Sequence, residues 1–412
     1  MTDQPLSFHL NTDQAFIARE IPTQRILEIS LKAPTAARLE QRPSLNLALV
    51  LDRSGSMAGE KLEYVKQAAC HVLDLLQEQD RVALVAYDDE VNLLSPITPV
   101  TDSNRIELKR RVMQLRPGGS TNLGGGWLIG CQEAASVAQD TSLNRTLLLT
   151  DGLANVGMID LEELARHARE ISRRGVSTST FGVGRGFNEH LLEAMSNQGN
   201  GNFYYIETPA DIPGIFHREF DELAAVTARN VEINLDFPAH LRLKVLGGWI
   251  AEFSEGRLHL SLGNLYSGQS QQVFIKFSTP PINGSSELRF NARIYGKDES
   301  DQLLEAQDTA VLTYARQEDV ESAPRDQDLL NRFALVDMAD TATEALKHER
   351  RGDRQAAHAM LYQSVSNNLP HLSPQEADEY LRMSERMKHG MDEADRKQSH
   401  YNSYNRKRHR PD

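Results

Sequence analysis

Residues 45–51 read Leu-Asn-Leu-Ala-Leu-Val-Leu, so a strand formed here carries apolar side chains on both faces. Such a strand needs cover on both sides, which helices lying on a largely parallel sheet provide. The following residues agree. Leu62, Val65, Ala69, Val72 and Leu76 recur at helical spacing in a helix opened by Gly59-Glu60 and running to about residue 79. Strands are predicted at 81–87, 91–96, 146–149, 176–183 and 203–206. Helices are predicted at 105–115, 123–139, 161–174, 189–196 and 212–226. This alternation predicts an α/β unit over 45–226, a doubly wound and mostly parallel sheet between helices.

Beyond residue 226 the period shortens from 3.6 to 2. Val231, Ile233 and Leu235 alternate with polar residues, as do Leu241, Leu243 and Val245. Similar runs at 258–262, 272–277, 287–294 and 310–314 predict an antiparallel β-sandwich over 227–315. Residues 1–44 also read as strands, and joining that sandwich would make the α/β unit an insertion within it. The polar stretch 316–325 reads as a linker and 326–395 as a helical segment. Residues 396–412, with six basic residues against one acidic, read as a disordered basic tail.

Charge and cysteine usage narrow the function. Lys and Arg total 45 against 58 Asp and Glu, a net charge of −13, which disfavours binding to a phosphate backbone. No apolar run approaches the ~20 residues of a membrane span. Met1-Thr2-Asp3-Gln4-Pro5 lacks the basic start and apolar core of a signal peptide. Cys70 and Cys131, the two cysteines, read as buried thiols in a reducing compartment. A cytoplasmic protein is the expectation.

The candidate chemistry lies where apolar strands end. Asp52-Arg53-Ser54-Gly55-Ser56 follows the first, Gly118-Gly119-Ser120-Thr121-Asn122 precedes a helix, and Thr150-Asp151-Gly152 follows another strand. All three are predicted at carboxyl ends of parallel strands, where α/β sheets place ligands. Asp52, Ser54, Ser56, Thr121 and Asp151 supply two carboxylates and three hydroxyls. That hard-oxygen set suits Mg²⁺, and Mn²⁺ or Ca²⁺ as further candidates, but suits zinc poorly.

This pattern resembles the von Willebrand factor A (VWA) domain family, whose metal-ion-dependent adhesion site uses Asp-x-Ser-x-Ser, a distant Thr and a distant Asp in that order. All five positions match. The resemblance implies direct metal contacts from Ser54, Ser56 and Thr121, with Asp52 and Asp151 acting mainly through waters. It also implies capture of an Asp or Glu from a protein partner, and no enzymatic activity. Leu262-Gly263-Asn264-Leu265, Gln272-Val273-Phe274-Ile275 and the helices around Gly352-Asp353 resemble the β-rich integral domain and helical extension that accompany some VWA domains. Two other functions remain: an accessory factor coupling its partner to a ring-forming AAA ATPase, and a metal-dependent hydrolase, which would need a general base near Asp52 or Asp151, where these loops offer no His.

Several rival motifs fail on chemistry. An EF-hand reading of Asp52, Ser54, Ser56 and Glu63 meets Met57 where glycine is required. An aspartyl phosphatase needs a second carboxylate where Ser54 stands. Gly182-Val183-Gly184-Arg185-Gly186 lacks the third glycine of a dinucleotide loop and reads as a sharp turn. Asp88-Asp89-Glu90 reads as a solvated turn before a second cation site, and Trp127 as packing. Adjacent Cys70 and His71 point apart on a helix and form no dyad. The last helix of the unit, with Ile212, Ile215, Phe216, Phe220 and Leu223 on one face, leads into the sandwich and is a candidate route for signalling metal occupancy.

Overall fold

Every position of the apolar run, as the strand Leu45–Asp52, is buried. It lies in a computed structural model that describes residues 6–35, 43–138, 142–152, 154–282, 287–298 and 301–408. In chain order it is β4, after β1 (Ser7–Thr12), β2 (Phe16–Ala18) and β3 (Thr23–Lys32). Then follow α1 (Glu60–Leu75), β5 (Arg81–Tyr87), β6 (Val91–Pro99), α2 (Asp102–Met113) and α3 (Leu123–Ser136). The series continues with β7 (Leu143–Thr150), α4 (Leu161–Arg173), β8 (Val176–Val183), α5 (Glu189–Gln198), β9 (Phe203–Ile206) and α6 (Asp211–Ala224). Their six-stranded sheet has the order β6-β5-β4-β7-β8-β9, parallel apart from β6. From β4 the chain moves first to β5 on one side and later to β7 on the other. The crevice beyond the carboxyl ends of β4 and β7 is therefore the topological switch point.

Helix α3 covers one face of this sheet at close range. A Cβ added to Gly130 would lie 2.3 Å from Val50 Cγ2, so glycine sets the helix–sheet spacing. Trp127, on the same helix, is fully buried and donates its indole N–H to Thr178 Oγ1 at 3.1 Å, in keeping with a packing role. On the other face, Arg145 of β7 and Glu219 of α6 form a buried ion pair at 2.7 Å. Burial alone would raise the Glu219 carboxyl. The Arg145 charge and the bonds from Asn202, Ser179 and Tyr204 outweigh that penalty and hold it below the usual range.

The remaining strands belong to a second unit, since the chain divides into Arg38–Val226 with Glu299–Asp301, and Met1–Ala37 with Thr227–Asp298 and Gln302–Asp412. They are β10 (Val226–Asp236), β11 (Arg242–Val245), β12 (Ile250–Ser254), β13 (Arg257–Tyr266), β14 (Ser270–Thr279), β15 (Glu287–Lys297) and β16 (Leu303–Ala315). Two sheets, β1-β3-β14-β11 and β12-β13-β10-β15-β16-β2, share one apolar core containing Leu27, Ile29, Ile233, Val273, Phe290 and Leu312. Alternating burial along β15, with Leu288, Phe290, Ala292 and Ile294 inward, accounts for its period of two. β2 pairs with β16 in parallel, an exception to the antiparallel pattern predicted.

Four longer helices follow a short one, α7 (Gln317–Ser322): α8 (Gln327–Arg350), α9 (Arg354–Asn368), α10 (Pro374–His389) and α11 (Glu393–Lys407). Two expectations are corrected here. The predicted linker 316–325 contains α7 and is anchored by polar groups: Gln14 Nε2 donates to the Val320 and Ala323 carbonyls at 2.8 and 2.7 Å, and Arg325 pairs with buried Asp13 at 2.7 Å. The predicted disordered tail is helical through residue 407. Two of its basic residues pair with acids of neighbouring helices, Arg396 with Glu349 of α8 at 2.6 Å and Arg406 with Glu379 of α10 at 2.7 Å. Residues 409–412 of that tail, together with 1–5 and 36–42 of the N-terminal segment and the expected helix end at 139, lie outside the described residues.

Candidate functional site

β4 ends at Asp52 and β7 at Thr150, side by side at the switch point. The Asp52 carboxylate is wholly buried and accepts hydrogen bonds from Thr150 Oγ1 at 2.6 Å and the Ser54 amide at 2.8 Å. Burial pushes this carboxyl above its ordinary range, against the opposing effect of the bonds from Thr150 and Ser54. After Ser54 the chain makes one 3-10 turn, Gly55–Met57, with the Met57 side chain buried. Ser54 and Ser56 hydroxyls lie 3.2 Å apart, and Ser56 Oγ donates to Asp151 Oδ1 at 2.8 Å.

Two main-chain bonds bring the glycine-rich turn onto this loop: Gly55 N to the Gly119 carbonyl and Gly118 N to the Arg53 carbonyl, both 2.7 Å. Thr121 is held by its backbone. Its amide donates to Asn155 Oδ1 at 2.7 Å, and its carbonyl accepts from the Asn155 and Val156 amides at 3.1 and 3.3 Å. Its side chain turns to the same space as Asp52. A Cβ added to Gly152 would stand 3.3 Å from both Asp52 Oδ2 and Thr121 Oγ1. The three loops therefore bring Asp52, Ser54, Ser56, Thr121 and Asp151 together, with glycine at 152 keeping the space beside Asp52 and Thr121 open.

Several supporting residues carry no signal of their own in the sequence. Thr150 links Asp52 to the Asp151 loop, its hydroxyl also accepting from the Gly152 amide at 3.0 Å. Lys61 Nζ bonds Asp151 Oδ2 and, at 3.3 Å, the Ser56 carbonyl. In the turn Asp88-Asp89-Glu90, Asp89 and Glu90 are exposed as expected, but Asp88 is not solvated. It is buried, pairs with Arg53 at 2.9 Å, accepts from the Glu90 amide at 3.0 Å, and receives the Asn122 amide on its carbonyl at 2.7 Å. Its acid-rich neighbourhood suggested exposure; its place directly after a buried strand was the available clue.

Among the described residues, no group of three or more His, Cys, Asp or Glu is placed to hold a metal. A cation at this site would rest on hydroxyls as much as on carboxylates. The donors fit Mg²⁺: all are hard oxygens, and Asp52 Oδ2 and Thr121 Oγ1 both border the open space beside Gly152. The thiols offer no alternative chemistry here, since burial pushes Cys131 up to about 12 and also raises Cys70.

Residues 46–218 match the family model of the von Willebrand factor type A domain. This part of the chain is a VWA domain. The Synechocystis protein sll0103 is 31% identical over 255 residues, 62% of this chain and 59% of that protein. Escherichia coli YfbK is 30% identical over 219 residues, 52% of this chain and 36% of that protein. The chain thus spans between about a third and three fifths of the length of these curated relatives. A solved von Willebrand factor type A protein from Catenulispora acidiphila shares the fold with a TM-score of 0.74 and 18% identity, covering 97% of both chains. VWA domains are generally protein-interaction modules and commonly bind a divalent metal at an adhesion site. No helix among the described residues is long and apolar enough to cross a membrane.

Proposed function

We propose that the VWA domain binds Mg²⁺ through Ser54, Ser56, Thr121, Asp52 and Asp151 and uses it to capture an Asp or Glu side chain of a protein partner. The observation that supports this best is that Asp52 Oδ2 and the Thr121 hydroxyl border one space beside Gly152, the residue that follows the Asp151 carboxylate bonded by Ser56. Hydroxyls neutralise a cation less than carboxylates do, so the bound ion supplies a Lewis-acidic position for an incoming carboxylate oxygen. Binding is favoured over catalysis because loops 52–56, 118–122 and 150–152 contain no His, and their carboxylates, Asp52 and Asp151, are assigned to the cation.

Titration calorimetry of the full chain with MgCl₂ and MnCl₂ tests the reading. Saturable binding at one site is expected, weakened in Thr121→Ala and abolished in Asp151→Ala. Absence of binding by the wild type at millimolar cation, or unchanged binding by both variants, would overturn it.

A further inference from the structure

Lys61 stands in the first turn of α1, the end of a helix where the macrodipole disfavours a cation. Its side chain follows a built path. The methylenes lie over Gly184, where an added Cβ would be 3.4 Å from Lys61 Cε and 3.5 Å from Cγ. The ammonium ends beside Gly186, 3.6 Å from an added Cβ, and bonds Asp151 Oδ2 and the Ser56 carbonyl. Gly184 has φ +69°, a conformation that glycine adopts without penalty. The turn at 182–186, superficially like a dinucleotide loop, thus seats a lysine against a proposed metal ligand. The Asp151 side chain is fully buried and that of Lys61 one-third exposed, so screening of this pair by solvent is partial.

Charge bookkeeping gives this placement a consequence. Asp52 and Asp151 bring two negative charges to the site, Lys61 brings one positive, and Arg53 is already paired with Asp88. Adding a divalent cation leaves one net positive charge; without Lys61 it would leave none. We propose that Lys61 sets the charge of the adhesion site, weakening capture of the cation alone and making the loaded site selective for an anionic group of the partner. This rests on the metal-binding reading above. Coupling is reciprocal: a carboxylate that favours the loaded site also tightens its cation.

Mn²⁺ serves as the probe, read by water-proton relaxation on the full chain, with acetate as a carboxylate. Lys61→Met keeps an unbranched stem over Gly184, and Lys61→Gln provides a second neutral variant. Both should bind Mn²⁺ about tenfold or more tightly than wild type, as expected for removing a charge a few ångströms from a divalent ion. Lys61→Arg should stay near wild type. Acetate should raise Mn²⁺ affinity in wild type and distinctly less in the neutral variants. Equal or weaker Mn²⁺ binding by folded Lys61→Met and Lys61→Gln, or an undiminished acetate effect, would overturn the role of Lys61 alone. No Mn²⁺ binding by wild type or either neutral variant, or binding that survives Asp151→Ala, would instead overturn the metal site itself.

Discussion

Asp52 and Thr121 face the same space, yet they bear on folding differently. Asp52 is a buried carboxyl raised above its ordinary range chiefly by burial, so its ionisation counts against the folded state once pH exceeds the unfolded value. Asp52→Asn removes that charge while nearly preserving volume. Its thermal midpoint in EDTA is expected at or above that of wild type, with the stabilisation by added Mg²⁺ lost. Thr121 is positioned through its backbone, which Thr121→Ala leaves in place. Its midpoint in EDTA should fall within a few degrees of wild type, the scale of a change of ~1 kcal/mol, while Mg²⁺ affinity drops. Scanning fluorimetry with and without Mg²⁺ reads both. A large destabilisation of Thr121→Ala in EDTA would make its hydroxyl a structural group.

Among the elements, α6 is held by more than its apolar face. Ile212, Ile215, Phe216, Phe220 and Leu223 are buried, but so is Glu219, which bonds Arg145, Ser179, Asn202 and Tyr204. Any sliding of α6 to signal metal occupancy must break that polar cluster, which resists small displacements more sharply than apolar contacts do. Glu219→Ala breaks the buried ion pair with Arg145 and should destabilise the VWA domain by about 3–5 kcal/mol in urea titrations. The pH dependence has a definite sign. Because the folded carboxyl is held low, its stabilisation is present above the unfolded value of ~4.3 and is lost as pH falls through the depressed one. The acid limb of the stability curve should therefore flatten in Glu219→Ala; an unchanged limb would show that Glu219 carries none of it.

For the whole molecule, the path of the chain matters most. β3, from the N-terminal segment, lies between β1 and β14 and pairs with β14 over ten residues from Thr23 to Lys32. Deleting residues 1–35 removes a central strand and its Leu27, Ile29 and Leu31 from the core of the second unit. That unit should then lose protection in hydrogen exchange, while strands β4, β5, β7 and β8, whose buried partners lie within Arg38–Val226, stay protected. Loss of protection throughout the VWA domain would instead show that its stability depends on the N-terminal strands.

Periodicity and strand-end chemistry made the α/β fold legible because both are local. A run apolar on both faces needs two-sided cover wherever it lies, and Asp52, Thr121 and Asp151 each sit at a strand end or helix entry that its own neighbours announce. The basic C-terminus was not legible for the opposite reason. In α11 the positions buried at helical spacing are Lys397, His400, Tyr404 and Lys407, almost all polar, so no apolar stripe reveals the helix. Glu349 and Glu379, remote in sequence, supply opposing charges to Arg396 and Arg406. Asp88 and Lys61 follow the same rule: an isolated acid or lysine reads as a solvated charge until the fold provides its partner. Sequence alone determined the α/β and β-rich elements and nominated the candidate donors; tertiary structure decided which charges are neutralised, because pairing energy depends on distances that only the folded chain establishes.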